Sequence, residues 1–150
     1  MEIVPGNRCT IEQRTLLAHA LVREFGTHYP DWTADQAADE LAAHGPLPLS
    51  LIALDGDVVL GCASLLDDDE VTGWEGRIWL GNVVVLESAR GRGIGAALVD
   101  AIEGQAAAMG FTELHLVTST AIDWYERRGW TALGVADVHG HAMTVMRKAR

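Results

Sequence analysis

The stretch from Val83 to Ala96, VVVLESARGRGIGA, limits what this chain can fold into more than any other. Val83, Val84 and Val85 carry the stiff, branched side chains of a strand, and an unbroken apolar run predicts burial on both faces. From Ile94 the apolar positions Ile94, Leu98, Ile102 and Met109, with Val99 and Ala106 beside them, trace one stripe of a helix. Gly91, Gly93 and Gly95 therefore sit at a helix N-terminus. There the first N–H groups have no partner and the helix presents about half a positive charge, so anions bind. The glycines clear side chains from those amides, and Arg90 and Arg92 add charges able to grip phosphate oxygens in a chain of net charge -10. The plainer alternative is a glycine-rich turn with solvated arginines.

Two other phosphate loops compare poorly. A P-loop needs Gly-Lys-Ser/Thr at its end, and the only lysine here is Lys148. The dinucleotide fingerprint Gly-x-Gly-x-x-Gly/Ala is met by Gly91, Gly93 and Ala96. The acid it requires would be Glu113, which begins the run ELHLVT rather than ending a strand, and too little chain follows for a two-halved nucleotide fold.

Arg90-x-x-Gly93-x-Gly95 after a β-branched strand resembles the Arg/Gln-x-x-Gly-x-Gly/Ala signature of the GCN5-related N-acetyltransferases (GNAT), whose loop holds the pyrophosphate of acetyl-CoA. About thirty residues later AIDWYERRGW, with Ala121, Trp124, Tyr125, Glu126, Gly129 and Trp130, is similar to the family's A-x-x-F-Y-E-x-x-G-F element. The resemblance covers residues 47 to 148, with Glu87 where members commonly have proline and Thr118 where many have asparagine. A length of 150 residues with 49% hydrophobic content predicts one domain of residues 1 to 150. The resemblance implies an α/β (α+β mixed) fold in which a central mixed sheet, with splayed strands 4 and 5, is flanked by helices. It also implies acetyl-CoA as cosubstrate, held by Val83, Val84, Val85, Arg90, Gly91, Arg92, Gly93, Ile94, Gly95, Ala96 and Thr118, with the pantetheine arm in the splay.

Around this core the chain reads in order. Met1 to Val4 predict a strand ended by Pro5 and Gly6. Thr10 is the expected N-cap of a helix whose stripe runs Ile11, Thr15, Ala18, Leu21, Val22, Phe25 and stops at Gly26, and Thr33 that of a second helix through Leu41 to Gly45. In the family these two helices form the variable acceptor side. Leu49 to Leu54 and Val58 to Leu66 predict a hairpin around Asp55-Gly56-Asp57, followed by an acidic loop and a strand from Arg77 to Val85. Thr112 to Thr118 predict the next strand, Ile122 to Arg128 a short helix, and Trp130 to Val138 with Ala142 to Met146 a closing hairpin.

Asp67, Asp68, Asp69, Glu70 and Glu75 read either as a solvated loop or as a lure for a protonated amine. Trp74 and Trp79 flank them and offer an aromatic face to a cation. The loop lacks the alternating ligands of a calcium site, and His139 and His141 have no third ligand, so no metal is expected. Cys9 and Cys62 read as ordinary thiols. An acidic start without a long apolar run predicts no secretory signal, no membrane span and a cytoplasmic protein, and the negative charge argues against nucleic acid and anionic membranes as partners. Monomer and homodimer both stay open.

The expected reaction is direct acetyl transfer from acetyl-CoA to a small-molecule or peptide primary amine in a ternary complex. The resemblance assigns Tyr125 to the leaving sulfur and backbone N–H groups of Val83 to Val85 to the carbonyl oxygen, while Glu75, or an ordered water, is the expected base. An acetyl-CoA sensor without catalysis and a dinucleotide-binding protein are the rival readings.

Overall fold

The computed structural model describes residues 1–149. Seven strands form one mixed sheet in the order β1-β2-β3-β4-β5-β7-β6: β1 (Glu2–Pro5), β2 (Leu49–Asp55), β3 (Val58–Leu66), β4 (Trp79–Val85), β5 (Glu113–Thr118), β6 (Thr131–Val138) and β7 (His141–Ala149). Every pairing is antiparallel except β4 with β5. Helices α1 (Ile11–Phe25) and α2 (Ala34–Ala42) cover one face and α3 (Ile94–Ala108) the other, with a short α4 (Ile122–Glu126) before β6.

Both early helices start as their sequence predicts. Thr10 Oγ1 accepts from Gln13 N at 3.1 Å while Gln13 Oε1 accepts from Thr10 N at 2.8 Å, and Thr33 with Gln36 repeats this reciprocal cap at 3.1 and 2.9 Å. The stripe of α1 is offset from the expected one. Leu17, Ala18 and Leu21 are buried, whereas Ile11 is 72% exposed because the first turn projects past the edge of the core. Leu17, Leu21 and Leu41 pack on Ile52, Cys62 and Val84. On the far face Leu98, Val99 and Ile102 of α3 meet Leu51, Ala63, Leu65 and Leu80. A fully buried leucine or isoleucine of this kind stabilises by about 1.5–3 kcal/mol, so the two layers hold the sheet between them.

The chain's only lysine is structural. Lys148 Nζ lies 2.7 Å from Glu103 Oε1 of α3, which is 3% exposed, and donates to the Arg128 carbonyl at 2.8 Å, tying β7 to α3 and to the end of α4.

The sheet opens in its middle. β4 and β5 meet only at Trp79 and His115, where His115 N–H donates to Ile78 O at 2.9 Å, and beyond that point the strands separate toward their C-terminal ends. The expected splay is present. Its edge of β4 also carries a bulge: Cys62 pairs with Val84 and Ser64 with Gly81, so two residues, Asn82 and Val83, stand opposite Ala63. Asn82 adopts a φ of 54°, a left-handed conformation that asparagine tolerates better than most residues. The expected double-sided burial of Val83 to Val85 holds only for Val84, because its neighbours face the opening. Among the described residues no helix is long and apolar enough to cross a membrane, and no group of three or more His, Cys, Asp or Glu is placed to hold a metal.

Candidate active site

Two cavities flank the splay, and they carry opposite charge. The smaller, about 580 Å³, is lined by the end of β4 and the glycine loop, including Val83, Val84, Val85, Arg90, Gly91, Gly93, Ile94, Gly95 and Ala96, together with Trp124 and Arg128. The larger, about 620 Å³, lies between α1, α2, the acidic loop and β5. Tyr125, Val83, Ala121 and Glu24 line both. The two cavities therefore meet at Tyr125.

The glycine loop is shaped as its sequence demands. Gly91 and Gly93 have φ of 78° and 76°, and a side-chain carbon on either would meet nothing within 4 Å, so the space over the loop is open. The first helical bond of α3 runs from Ala97 N–H to Gly93 O at 3.1 Å, and the amides before it open toward the cavity as an anion cradle. Arg90 Nε donates to Val85 O at 3.1 Å, which anchors the side chain at the end of β4, on the wall of the smaller cavity. Arg128 stacks 3.6 Å over the Trp124 ring and adds a second cation that the sequence reading missed. Arg92 is exposed and lines neither cavity. Thr118 lies on the larger cavity, where its hydroxyl accepts from Ala121 N at 3.1 Å.

The larger cavity is lined by Glu24, Glu40, Asp67, Asp68, Asp69 and Glu70 and by no lysine or arginine. Burial pushes the Asp69 carboxyl up to about 8; the nearby Tyr29 phenol pulls it back, while Glu40, Asp68 and Glu70 push it further. Burial also raises Glu40, against hydrogen bonds from Asn82 and Trp32 that favour its charged form. Glu24 and Glu40 come from α1 and α2, where no motif spacing marks them, and the other four from the acidic loop after β3. One signal was available for Asn82: the pair Gly81-Asn82 interrupts an apolar strand run, as bulges do.

Other expected residues fall elsewhere. Glu75 is fully exposed, lines neither cavity, and accepts from Gly73 N at 3.1 Å; its own and Gly73's backbone N–H groups hold it below the usual carboxylate range. Trp79 is buried at 1% exposure beside His115, and Trp74 carries the chain's own Arg77 at 4.9 Å, so the aromatic lining of the larger cavity comes from Phe25, Tyr29, Trp32 and Tyr125 instead. His139 and His141 point to different rings, Tyr29 at 5.5 Å and His28 at 4.7 Å, rather than to one another. Burial lifts the Cys62 thiol to about 12, which leaves it un-ionised and poorly nucleophilic at neutral pH. Burial likewise raises the Tyr125 phenol to about 12, against Arg128.

Known structures share this architecture end to end. An aminoglycoside 6'-acetyltransferase type Ii superposes with a TM-score of 0.75 at 23% identity, covering 99% of this chain and 97% of that one. The aminoglycoside 6'-N-acetyltransferase from Enterococcus faecium gives 0.74 at 21% identity over the same shares. The PaiA N-acetyltransferase from Thermoplasma acidophilum, in complex with coenzyme A, gives 0.71 at 16% identity with 100% of both chains covered. No curated protein matches the sequence. The family model described as Acetyltransferase (GNAT) family matches residues 15–130, which contain both the glycine loop and the Tyr125 element, and the chain belongs to that family.

Proposed function

We propose that the protein transfers an acetyl group from acetyl-CoA directly to a primary amine that is cationic at neutral pH, in a ternary complex. The observation that carries this reading is the meeting of a cationic and an anionic cavity at Tyr125 and Val83. A donor with phosphates suits the side of Arg90, Arg128 and the α3 amides; an ammonium suits the carboxylate side. When bound, acetyl-CoA supplies the reactive thioester. Backbone N–H groups of β4 at Val83 and Val85, beside the splay, are assigned to stabilise charge on a carbonyl oxygen, whereas the Val84 N–H is turned to Cys62 of β3. Tyr125 stands where it can hydrogen-bond a departing sulfur. A phenol near 12 against a thiol near 8.5 makes full proton transfer uphill, so its contribution is that hydrogen bond.

The acetyltransferases similar in structure include two named for aminoglycosides, which are multiply charged amines, and a cavity whose lining carries six acids and no lysine or arginine suits an acceptor of that charge type. Acetyl-CoA-dependent thiol release across a panel of amines tests the reading. Cationic primary amines should turn over, and acetyl-CoA at about a hundred times its Kd should add roughly 2.7 kcal/mol of apparent stability. A melting shift with NADH and none with acetyl-CoA overturns the donor; acetyl-CoA binding without turnover of any amine makes the protein a sensor.

A further inference from the structure

We propose that the Asp69 carboxylate is the general base that removes the proton from the acceptor ammonium. The assignment rests on the acetyl transfer proposed above and supplies the group that makes the amine nucleophilic.

Placement is the first ground. Asp69 lies in the loop after β3 on the wall of the larger cavity, and its carboxylate is turned to the open half of β4: a side-chain carbon on Gly81 would stand 3.9 Å from its Oδ1. Gly81 directly precedes the bulge residues, and Val83 borders both cavities, so the carboxylate stands on the acceptor side of the strand that also faces the donor. Tyr29 Oη donates to the main-chain oxygen of Asp69 at 3.2 Å and holds the loop there.

The second ground is what the neighbouring acids already do. Glu40 accepts from Asn82 and Trp32, Asp68 Oδ1 accepts from Glu70 N at 3.0 Å, and Glu70 faces His139 at 3.7 Å. Asp69 has no ion pair among the described residues, and its carboxylate is engaged by the Tyr29 phenol, a neutral donor that leaves its charge unpaired. The titratable groups around it are Tyr29 and His28 from the connection after α1, Glu40 of α2, and Asp68 and Glu70 of its own loop, with His139 of the β6–β7 turn beyond Glu70. Burial and the three acids hold its carboxyl near 8, close to the working pH, so its deprotonated fraction can take a proton from an ammonium whose own charge favours the carboxylate.

In the step, the ammonium gives one proton to Asp69, and the freed nitrogen lone pair forms the C–N bond at the thioester carbon. The C–S bond breaks with its electron pair on sulfur. The nitrogen loses a second proton as the amide forms, sulfur takes up one to become a thiol, and Asp69 returns its proton to solvent. The net products are the amide, the thiol and one released proton.

Asp69→Asn keeps shape and removes the base. Its kcat and KM would be measured against pH with a strongly basic alkylamine and with an alkoxyamine that is neutral at the assay pH. Melting curves and acetyl-CoA binding would establish that the variant is folded and loads donor, and carboxyl carbon NMR would follow titration without substrates. The wild-type kcat/KM should rise through a pKa near 8 with the alkylamine. The variant should lose that limb and at least about 100-fold in kcat with the alkylamine, but far less with the alkoxyamine. A carboxyl resonance titrating near 8 should be present in the wild type and absent from the variant. A retained limb, equal losses with both acceptors, or a raised KM at unchanged kcat overturns the assignment and leaves acetyl transfer standing. A wild type that acetylates no amine overturns both.

Discussion

Asn82 Nδ2 donates to Glu40 Oε2 at 2.9 Å, so the residue that bends β4 is tied to the helix that walls the acceptor cavity. Trp32 Nε1 holds the other oxygen of Glu40 at 3.1 Å, Asn82 reaches Ser64 Oγ at 3.4 Å, and the Ser50 and Ser64 hydroxyls meet at 2.7 Å. Backbone kink, acidic wall and aromatic wall thus form one connected set.

Asn82→Leu should destabilise the protein by about 1–3 kcal/mol, because a branched residue is strained at a φ of 54° and Glu40 loses a donor. Asn82→Gly restores the backbone freedom and not the hydrogen bond, so it should fall between wild type and Asn82→Leu. Urea titration of the three proteins checks the order; a glycine variant less stable than the leucine variant would mean that the bulge is not what selects asparagine.

The raised carboxyls make stability depend on pH in an unusual direction. Asp69 moves from 3.8 in the unfolded chain to about 8 when folded, so between these values the native state holds a proton that the unfolded state releases. That contribution is fully present below the unfolded value and is lost as pH rises through the folded one. Glu40 is shifted in the same direction. The melting temperature should therefore fall as pH is raised from 5 to 8, and Asp69→Asn should flatten the fall and melt higher than wild type at pH 8.

How much was legible follows from which interactions are local. Caps at Thr10 and Thr33, the Asp55-Gly56 turn and the glycine loop depend on residues a few positions apart, and all of them stand as their spacing predicts. The donor side is built from that one loop and one strand, so it was readable. The acceptor side is assembled from α1, α2, the acidic loop and the bulge, elements with no local spacing in common. Nothing local separates Glu75 from Asp69, six residues earlier in the same acidic loop, yet backbone donors hold Glu75 out in solvent while the loop's path carries Asp69 inward. The α1 stripe slipped for a related reason: periodicity gives the face, and only tertiary packing decides which end of it meets the core.

Two glycines near one another in sequence should respond oppositely to an added side chain. Gly93 has a left-handed φ of 76° and sits among the amides that open on the smaller cavity, so Gly93→Val should cost about 1–2 kcal/mol of stability and weaken acetyl-CoA binding. Gly104 lies on the exposed face of α3, where a methyl would meet nothing within 4 Å, so Gly104→Ala should add about 0.5–1 kcal/mol and leave binding unchanged. Melting curves with and without acetyl-CoA separate the two effects. Unchanged binding in a folded Gly93→Val protein would remove the loop from the donor site.

Tyr125 is 8% exposed and touches Trp124 at 4.9 Å and Trp130 at 5.9 Å between ring centres, a setting in which a tyrosine can serve as packing alone. Its hydroxyl is what distinguishes the two roles, because the ring lines both cavities where they join. Tyr125→Phe removes that one oxygen and keeps the ring, so the melting temperature should stay within the small range of a neutral core change. Loss of the hydrogen bond to a sulfur on which charge is developing should lower kcat roughly 10- to 1000-fold, the usual contribution of one positioned donor. Affinity for acetyl-CoA should hold, since the bond strengthens only as the C–S bond breaks. With the phenol raised to about 12, the wild-type activity should show no loss from Tyr125 ionisation up to pH 10, so the difference between the two proteins should be constant across that range. Steady-state kinetics at several pH values, run beside the melting curves, decide the matter: an unchanged kcat with a lowered melting temperature would leave Tyr125 as a packing residue and remove the leaving-group role.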